Sequence, residues 1–115
     1  MSKRRRRRAK AGEPPTEPPE MTGVAKLLSE MPAATLDLHH LTGAQAQSRV
    51  RNLVRSHSRI SAGRVVHIIT GKGARSEGAP VLHGLVRDML TNEMAEHVDE
   101  YAGMMGGGGW VVRVK

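Results

Sequence analysis

One apolar run constrains the fold of this 115-residue chain more than any other feature. Residues 64–70 read Arg-Val-Val-His-Ile-Ile-Thr, and four of these seven residues are valine or isoleucine. A strand with one solvated face alternates apolar and polar side chains, whereas this run does not alternate. It therefore predicts a strand buried on both faces, as in a parallel sheet, and hence an α/β fold.

The spacing of apolar residues predicts the other elements and their order. Thr42 and Gly43 precede a helix with an apolar stripe, and Pro80 suits the first turn of a second helix. A helix between the first two strands predicts that they run parallel with a right-handed crossover. The glycines at 106–109 predict a turn that joins the last two strands as a hairpin. The resulting order is β-α-β-α-β-β, with strands over 34–39, 64–70, 96–102 and 110–114 and helices over 44–60 and 80–91.

The N-terminal region differs in composition from the rest of the chain. Residues 1–20 carry seven basic and three acidic residues, a net charge of +4, and combine five consecutive arginines with a proline-rich stretch. This composition predicts a disordered tail, which is either a nonspecific phosphate-binding arm or a solubilising segment. Residues 21–33 are predicted to form a linker and a short helix over 22–31, either a lid on the domain or a docking element for a partner. The folded domain is expected over 34–115.

Composition also excludes several classes of protein. The chain has no cysteine, which excludes disulfide scaffolds and thiolate metal sites and fits a reducing compartment. No apolar run approaches the ~18 residues that a transmembrane helix needs. Residues 21–115 carry eleven basic and eight acidic residues, a net charge of +3. We therefore expect a soluble, cytosolic and mildly basic domain without a membrane partner.

Two segments that carry reactive side chains follow the first two strands. Because side chains alternate along a strand, Asp37 and His39 should share one face at the carboxyl end of the first strand. The segment Thr-Gly-Lys-Gly over 70–73 ends the second strand, and parallel strands bring such ends to one edge of the sheet. His39 could transfer a proton there, with Asp37 orienting it or holding a cation. Lys72 and the main-chain N–H groups of the glycines could bind phosphate, with Arg75 in reach of the same loop.

The same segments limit the chemistry. The spacing of the glycines and the lysine is not that of a P-loop, so nucleotide hydrolysis is not predicted. Only one carboxylate is evident at this edge, whereas a two-metal nuclease needs several acidic ligands. No metal site and no certain cofactor are therefore predicted, although a single Mg²⁺ ion is compatible with Asp37.

Other basic and imidazole side chains have simpler interpretations. Arg51, Arg55 and Arg59 form a stripe separate from the apolar face of their helix, and they either track phosphate groups or keep the helix solvated. The remaining histidines are expected to be structural, among them those at 57 and 67, or to lack a partner visible in the sequence, such as His83. His40 should face away from the first strand's reactive side if that strand continues.

Four short motifs occur in order between residues 35 and 115: Leu36-Asp-Leu-His39, Ile68-Ile-Thr-Gly-Lys-Gly73, Ser76-Glu-Gly78 and Gly106-Gly-Gly-Gly109. This arrangement resembles the Smr (small MutS-related) domain family. The resemblance implies a β-α-β-α-β-β two-layer sandwich similar to the C-terminal domain of bacterial translation initiation factor three. It also implies DNA or RNA endonuclease activity, in a chain that is a stand-alone version of the domain.

The resemblance assigns candidate residues by their position in the motifs. The chain departs from the family pattern at four places, with Thr70 where histidine is commoner, His40 where glycine is usual, Trp110 where a small residue is usual, and Tyr101 where phenylalanine is typical. The motifs Leu-Asp-x-His and His/Thr-Gly-x-Gly fall on Asp37, His39, Thr70, Gly71 and Gly73, with Lys72 at the variable position.

Together these observations predict a nucleic-acid-binding protein, an endonuclease that nicks DNA or cleaves RNA with low sequence specificity. The chain has one tryptophan, one tyrosine and no phenylalanine, which argues against recognition of single strands by base stacking and favours backbone and shape contacts. One alternative is a non-catalytic RNA- or ribosome-binding module. Another is an adaptor that docks a partner through the helix over 22–31. The oligomeric state is not predicted.

Overall fold

The computed structural model describes residues 23–71 and 79–115. The predicted tail, the capping residue Thr22 of the first helix and the Ser76-Glu-Gly78 motif lie outside these residues. The described parts form three α-helices, one 3₁₀ helix and four strands. In chain order these are α1 (Gly23–Ser29), β1 (Ala34–Asp37), α2 (Gly43–Ile60), β2 (Val65–Ile69), α3 (Ala79–Thr91), the 3₁₀ helix (Ala95–His97), β3 (Val98–Gly103) and β4 (Gly109–Val114).

The four strands form one mixed sheet in the order β1-β2-β4-β3. Strands β1 and β2 are parallel, with Asp37 opposite Ile69, and β4 is antiparallel to both β2 and β3. The α/β class, the parallel crossover and the C-terminal hairpin that the sequence predicts are therefore confirmed. The likeness to the C-terminal domain of initiation factor three stays a prediction.

Helices α2 and α3 cover one face of the sheet and enclose the main core. Helix α2 begins with a capping box, in which the side chain of Thr42 accepts from the N–H of Gln45 and the side chain of Gln45 accepts from the N–H of Thr42. Most of its predicted apolar stripe packs against the sheet, as the helical spacing predicts, whereas Ile60 at the end of the helix was also predicted to belong to the stripe and is 74% exposed. The fully buried core residues include Ala46, Val50 and Val54 of α2, Val86 of α3, and Leu38, Val66, Ile68, Val112 and Val114 on the sheet side.

Helix α1 packs on the opposite face of the sheet. Leu27 is fully buried against Val65 and Val111, whereas Val24 remains 56% exposed. Burial of the leucine is what a lid on the domain requires, and the helix adds a partial third layer to the expected two-layer sandwich. The side chain of Leu27 is thus buried inside the domain and is not available to a partner protein.

Arg113 ties the end of α1 to the sheet. This side chain is only 11% exposed and donates to Glu30 at 2.6 Å and to Glu100 at 2.8 Å. A third hydrogen bond reaches the carbonyl oxygen of Gly63 at 2.9 Å. The hydrogen bond with Arg113 lowers the pKa of Glu30, and the hydrogen bonds with Glu30 and Glu100 raise the pKa of Arg113, so Glu30 and Arg113 both stay ionised around neutral pH.

Two strand boundaries differ by two residues from the sequence-based prediction, and the others agree with it to within one residue. Strand β1 ends at Asp37, two residues before the predicted end, because residues 39 and 40 form a turn. The third strand begins at Val98, since Ala95–His97 form a 3₁₀ helix. None of the helices within residues 23–71 and 79–115 is both long enough and apolar enough to cross a membrane.

Candidate functional site

Asp37 and His39 form a hydrogen-bonded pair at the carboxyl end of β1. The Nδ1 atom of His39 lies 2.6 Å from Oδ1 of Asp37, and the backbone N–H of His39 donates to the same oxygen at 3.0 Å. Both side chains are accessible, at 46% exposure for the imidazole and 54% for the carboxylate. Strand alternation does not create this pairing, because β1 has already ended. The aspartate instead accepts from the N–H two residues further on, as aspartates commonly do in turns.

The contact sets the proton positions of the two groups. Hydrogen bonds from the imidazole and from the backbone N–H of His39 lower the pKa of Asp37. The carboxylate is therefore ionised around neutral pH, and its charge is lost only as the pH falls through that lowered pKa. Because an ionised carboxylate can only accept, Nδ1 of His39 carries the proton. In the neutral imidazole the lone pair then lies on Nε2, which can accept a proton from a substrate.

His40 adopts a backbone conformation that favours glycine. Its φ angle is +72°, in the left-handed region where a Cβ atom crowds the backbone. Its ring centroid lies 4.2 Å from that of His39, with the planes tilted by 51°. His40 was expected to face away from His39 only if the strand continued, and the strand instead ends at Asp37, so the two rings lie close together. The glycine that the family pattern leads us to expect here would relieve this crowding.

A His40→Gly substitution should make the domain slightly more stable. Relief of about 1–2 kcal/mol of left-handed strain exceeds the roughly 0.4–1 kcal/mol that the more flexible glycine adds to the unfolded chain. Urea unfolding of both proteins measures the difference. The control is His40→Ala, which removes the imidazole but keeps the strain and should bring no gain. A loss of stability in His40→Gly would contradict this explanation.

The start of the glycine-rich segment is bound to the turn between β3 and β4. The backbone N–H groups of Thr70 and Gly71 both donate to the carbonyl oxygen of Gly108, at 2.9 and 3.2 Å. Gly71 has a φ angle of +102°, which glycine adopts without strain, and the side chain of Thr70 is fully buried. In this arrangement neither N–H group is available to a phosphate. Thr70 and Gly71 position the segment, and a direct contact of either with nucleic acid stays a prediction.

Sequence reasoning missed His83 of α3. Its Nδ1 lies 3.2 Å from Oγ1 of Thr70, and its ring stacks on Trp110 with the centroids 4.4 Å apart. The indole N–H of Trp110 donates to the backbone carbonyl of His83 at 3.0 Å. Burial lowers the pKa of His83, which favours the neutral imidazole. Its position three residues before Val86 of the apolar stripe was the available signal, because residues at that spacing share a helix face.

The predicted arginine stripe is divided by an ion pair. Both Nε and Nη2 of Arg51 donate to the carboxylate of Glu93, the latter at 3.2 Å. Arg55 and Arg59 are exposed on α2. The stripe therefore has one arginine engaged with the protein and two that face solvent. The remaining predicted site residues, Lys72, Gly73 and Arg75, lie outside the residues that the structure describes.

The described parts of the chain hold no cluster of metal-binding side chains. Within residues 23–71 and 79–115, no three histidine, aspartate or glutamate side chains come together in a way that could hold a metal ion. A Mg²⁺ ion at Asp37 stays a prediction.

The fold and this edge of the sheet define a class of protein. It is an α/β domain in which a carboxylate–imidazole pair follows the first strand and a glycine-rich segment follows the parallel second strand. The family model described as Smr domain matches residues 36–114, more than half of the chain, and the chain belongs to the Smr domain family. This family is generally nucleic-acid binding and nuclease-like. No curated protein matches the sequence.

Proposed function

We propose that this protein binds nucleic acid and cleaves its phosphodiester bonds with low sequence specificity. The observation that carries the proposal is the 2.6 Å contact between Nδ1 of His39 and Oδ1 of Asp37 on an accessible edge of the sheet. A carboxylate that fixes one imidazole nitrogen leaves the other nitrogen oriented for proton transfer.

The proposed reaction uses His39 as a general base. Its Nε2 takes the proton from an attacking hydroxyl, which is either a ribose 2′-hydroxyl or water. The oxygen forms a bond to phosphorus as the bond to the leaving oxygen breaks. The leaving oxygen takes up a proton from water, and the imidazolium of His39 then returns its proton to the solvent. Asp37 stabilises the imidazolium that forms and holds the ring in its orientation. Lys72 is proposed from its position directly after Gly71 to place a positive charge at the phosphate.

No step of this proposal passes through a metal ion. The carboxylate of Asp37 already accepts two hydrogen bonds from His39, which fits an orienting role better than a role as sole ligand of a cation. A metal would also need further oxygen ligands, and the class of two-metal nucleases holds its ions with several carboxylates.

Cleavage of supercoiled plasmid and of structured RNA by the purified protein, with and without Mg²⁺, tests the proposal. Both substrates should be examined for the chemistry of the new ends. A cyclic phosphate on RNA would show attack by the ribose hydroxyl, and a terminal 5′ phosphate would show attack by water. Binding without cleavage of either substrate would contradict the proposed activity.

A non-catalytic RNA- or ribosome-binding module is the second candidate. The observation in its favour is the environment of Thr70, whose hydroxyl is buried against His83. The second motif therefore presents no acid or base of its own at Thr70. In this candidate the same edge binds the nucleic acid backbone and leaves it intact.

We expect the exposed arginines of α2 to contribute to binding in either case. A double variant, Arg55→Gln with Arg59→Gln, should reduce the slope of log affinity against log salt by about one for each phosphate that is no longer neutralised. Arg51→Gln is the matched control, because Arg51 is already paired with Glu93 and should change the slope less. Titration of a labelled duplex at several salt concentrations measures the slopes. Equal slopes in the double variant and the unmodified protein would show that the two arginines only keep the helix solvated.

A further inference from the structure

A small apolar concavity opens beside the Asp37–His39 pair. Its volume is about 190 Å³. Ile69, one of its lining residues, lies directly opposite Asp37 in the parallel pairing of β1 and β2, so the concavity adjoins the strand next to that residue. The described residues that line it are Ile69, Gly71, Met104, Met105 and Gly108.

One part of the lining is held in place by hydrogen bonds, and another part is an exposed side chain that can change its conformation. Gly108 is held to β2 because its carbonyl oxygen accepts from the N–H groups of Thr70 and Gly71. Met104 packs against the core on the α1 side of the sheet. Met105 has a large apolar side chain that is nevertheless 83% exposed. Methionine is unbranched and polarizable, so such a side chain can close over a flat ligand.

The volume and the apolar lining of the concavity limit which ligands it can bind. Sites for drug-sized molecules occupy about 300–1,000 Å³, so this one admits a single small group. We propose that it binds one unpaired nucleobase next to the phosphodiester whose cleavage His39 promotes as general base. The base would place its apolar face against Ile69 and Met105 and leave its polar edge in solvent. The inference rests on the proposed function, because it places the base by the position of the scissile phosphate.

A site for one unpaired base specifies the substrate class. A base within a duplex is stacked and cannot enter the concavity, so a bulge, a loop or a single strand is preferred to continuous duplex. The scarcity of aromatic residues predicts little base stacking. In this concavity two methionines and an isoleucine would contact the base instead of aromatic side chains. Among residues 23–71 and 79–115, no polar side chain lines the concavity, so these residues favour the presence of a base rather than its identity.

Binding of two RNA hairpins to the full-length His39→Ala protein tests the proposal without cleavage of the probe. One hairpin carries a single bulged adenosine, and the other has an abasic nucleotide at the same place. The bulged hairpin should bind at least about fivefold more tightly, as expected for one base held on a side chain. Adding Met105→Ala should remove this difference, so that the two hairpins bind with about equal affinity. The matched control is Met31→Ala, since Met31 is 81% exposed and does not line the concavity.

The outcomes separate this proposal from the proposed function. A base-dependent ratio that Met105→Ala removes and Met31→Ala retains supports the nucleobase site, whether or not the unmodified protein cleaves. Equal affinities for both hairpins, or a ratio that Met105→Ala leaves unchanged, overturn the site even if cleavage is observed. The concavity would then suit another occupant, such as an apolar side chain of a partner protein. Failure of both hairpins to bind overturns the site and the proposed function together.

Discussion

Replacing Gly109 with alanine is expected to cost about 2–4 kcal/mol of folding stability, near the upper end for a single substitution. Gly109 lies opposite Ile69 in the pairing of β4 with β2. A Cβ atom there would come within 3.0 Å of the carbonyl carbon of Ile68 and the Cα of Ile69. These are backbone atoms and cannot rotate away, so the strands must separate. The hydrogen bonds that Gly108 accepts from Thr70 and Gly71 would break with them.

Thermal unfolding measures this effect. A loss of that size should lower the Tm by about 10 °C or more in a domain of fewer than 100 residues. Gly103→Ala is the matched control, because Gly103 is also a strand residue and a Cβ there meets nothing within 4 Å. That variant should remain within about 0.5 kcal/mol of the unmodified protein. Equal effects of the two substitutions would contradict the close approach of β4 to β2.

The overall architecture could be predicted from the sequence because patterns of neighbouring residues specify it. The non-alternating run in β2 indicates a strand buried on both faces, and Val66 and Ile68 are indeed fully buried on the α2–α3 side and Val65 on the α1 side. The helix between the two strands leaves a parallel crossover as the ordinary connection. These inferences need only neighbours in the chain, which is why they were confirmed.

The pairing of Asp37 with His39 was predicted from an incorrect local structure. Strand alternation would have placed the two side chains on one face, but the strand ends and the turn brings them together. The left-handed φ angle of His40 belongs to the same turn. A positive φ is uncommon in residues other than glycine, and although histidine adopts it more often than most, its presence at position 40 did not specify a turn.

Contacts between distant parts of the chain explain what could not be predicted. His83 reaches Thr70 from the next helix, and Arg51 reaches Glu93 across 42 residues. Gly108 accepts from the backbone of the segment that was predicted to offer its N–H groups to phosphate. Periodicity indicates which face of an element a residue occupies, but it does not indicate which side chain or carbonyl group meets it there.

Replacing His39 with alanine is expected to lower the rate of phosphodiester cleavage by about 10²–10⁴-fold, the usual contribution of a positioned general base. Affinity for nucleic acid should change little, because proton transfer is needed in the transition state and not for binding. His97→Ala is the matched control, since this histidine lies in the 3₁₀ helix and outside the candidate site. Asp37→Asn should also lower the rate strongly, because it removes the charge that stabilises the imidazolium and its amide can donate to Nδ1, which leaves the proton on Nε2 where the base is needed.

The single-turnover rate of cleavage of one end-labelled RNA, measured at saturating protein for the unmodified chain and for His39→Ala, tests the central claim most directly. Saturation removes any difference in binding, so the rates compare the chemical step alone. We predict a rate at least about 10²-fold lower for His39→Ala, with partial recovery when free imidazole is added to supply the missing base. Equal rates for the two proteins would contradict the claim, because the cleavage would then not depend on His39.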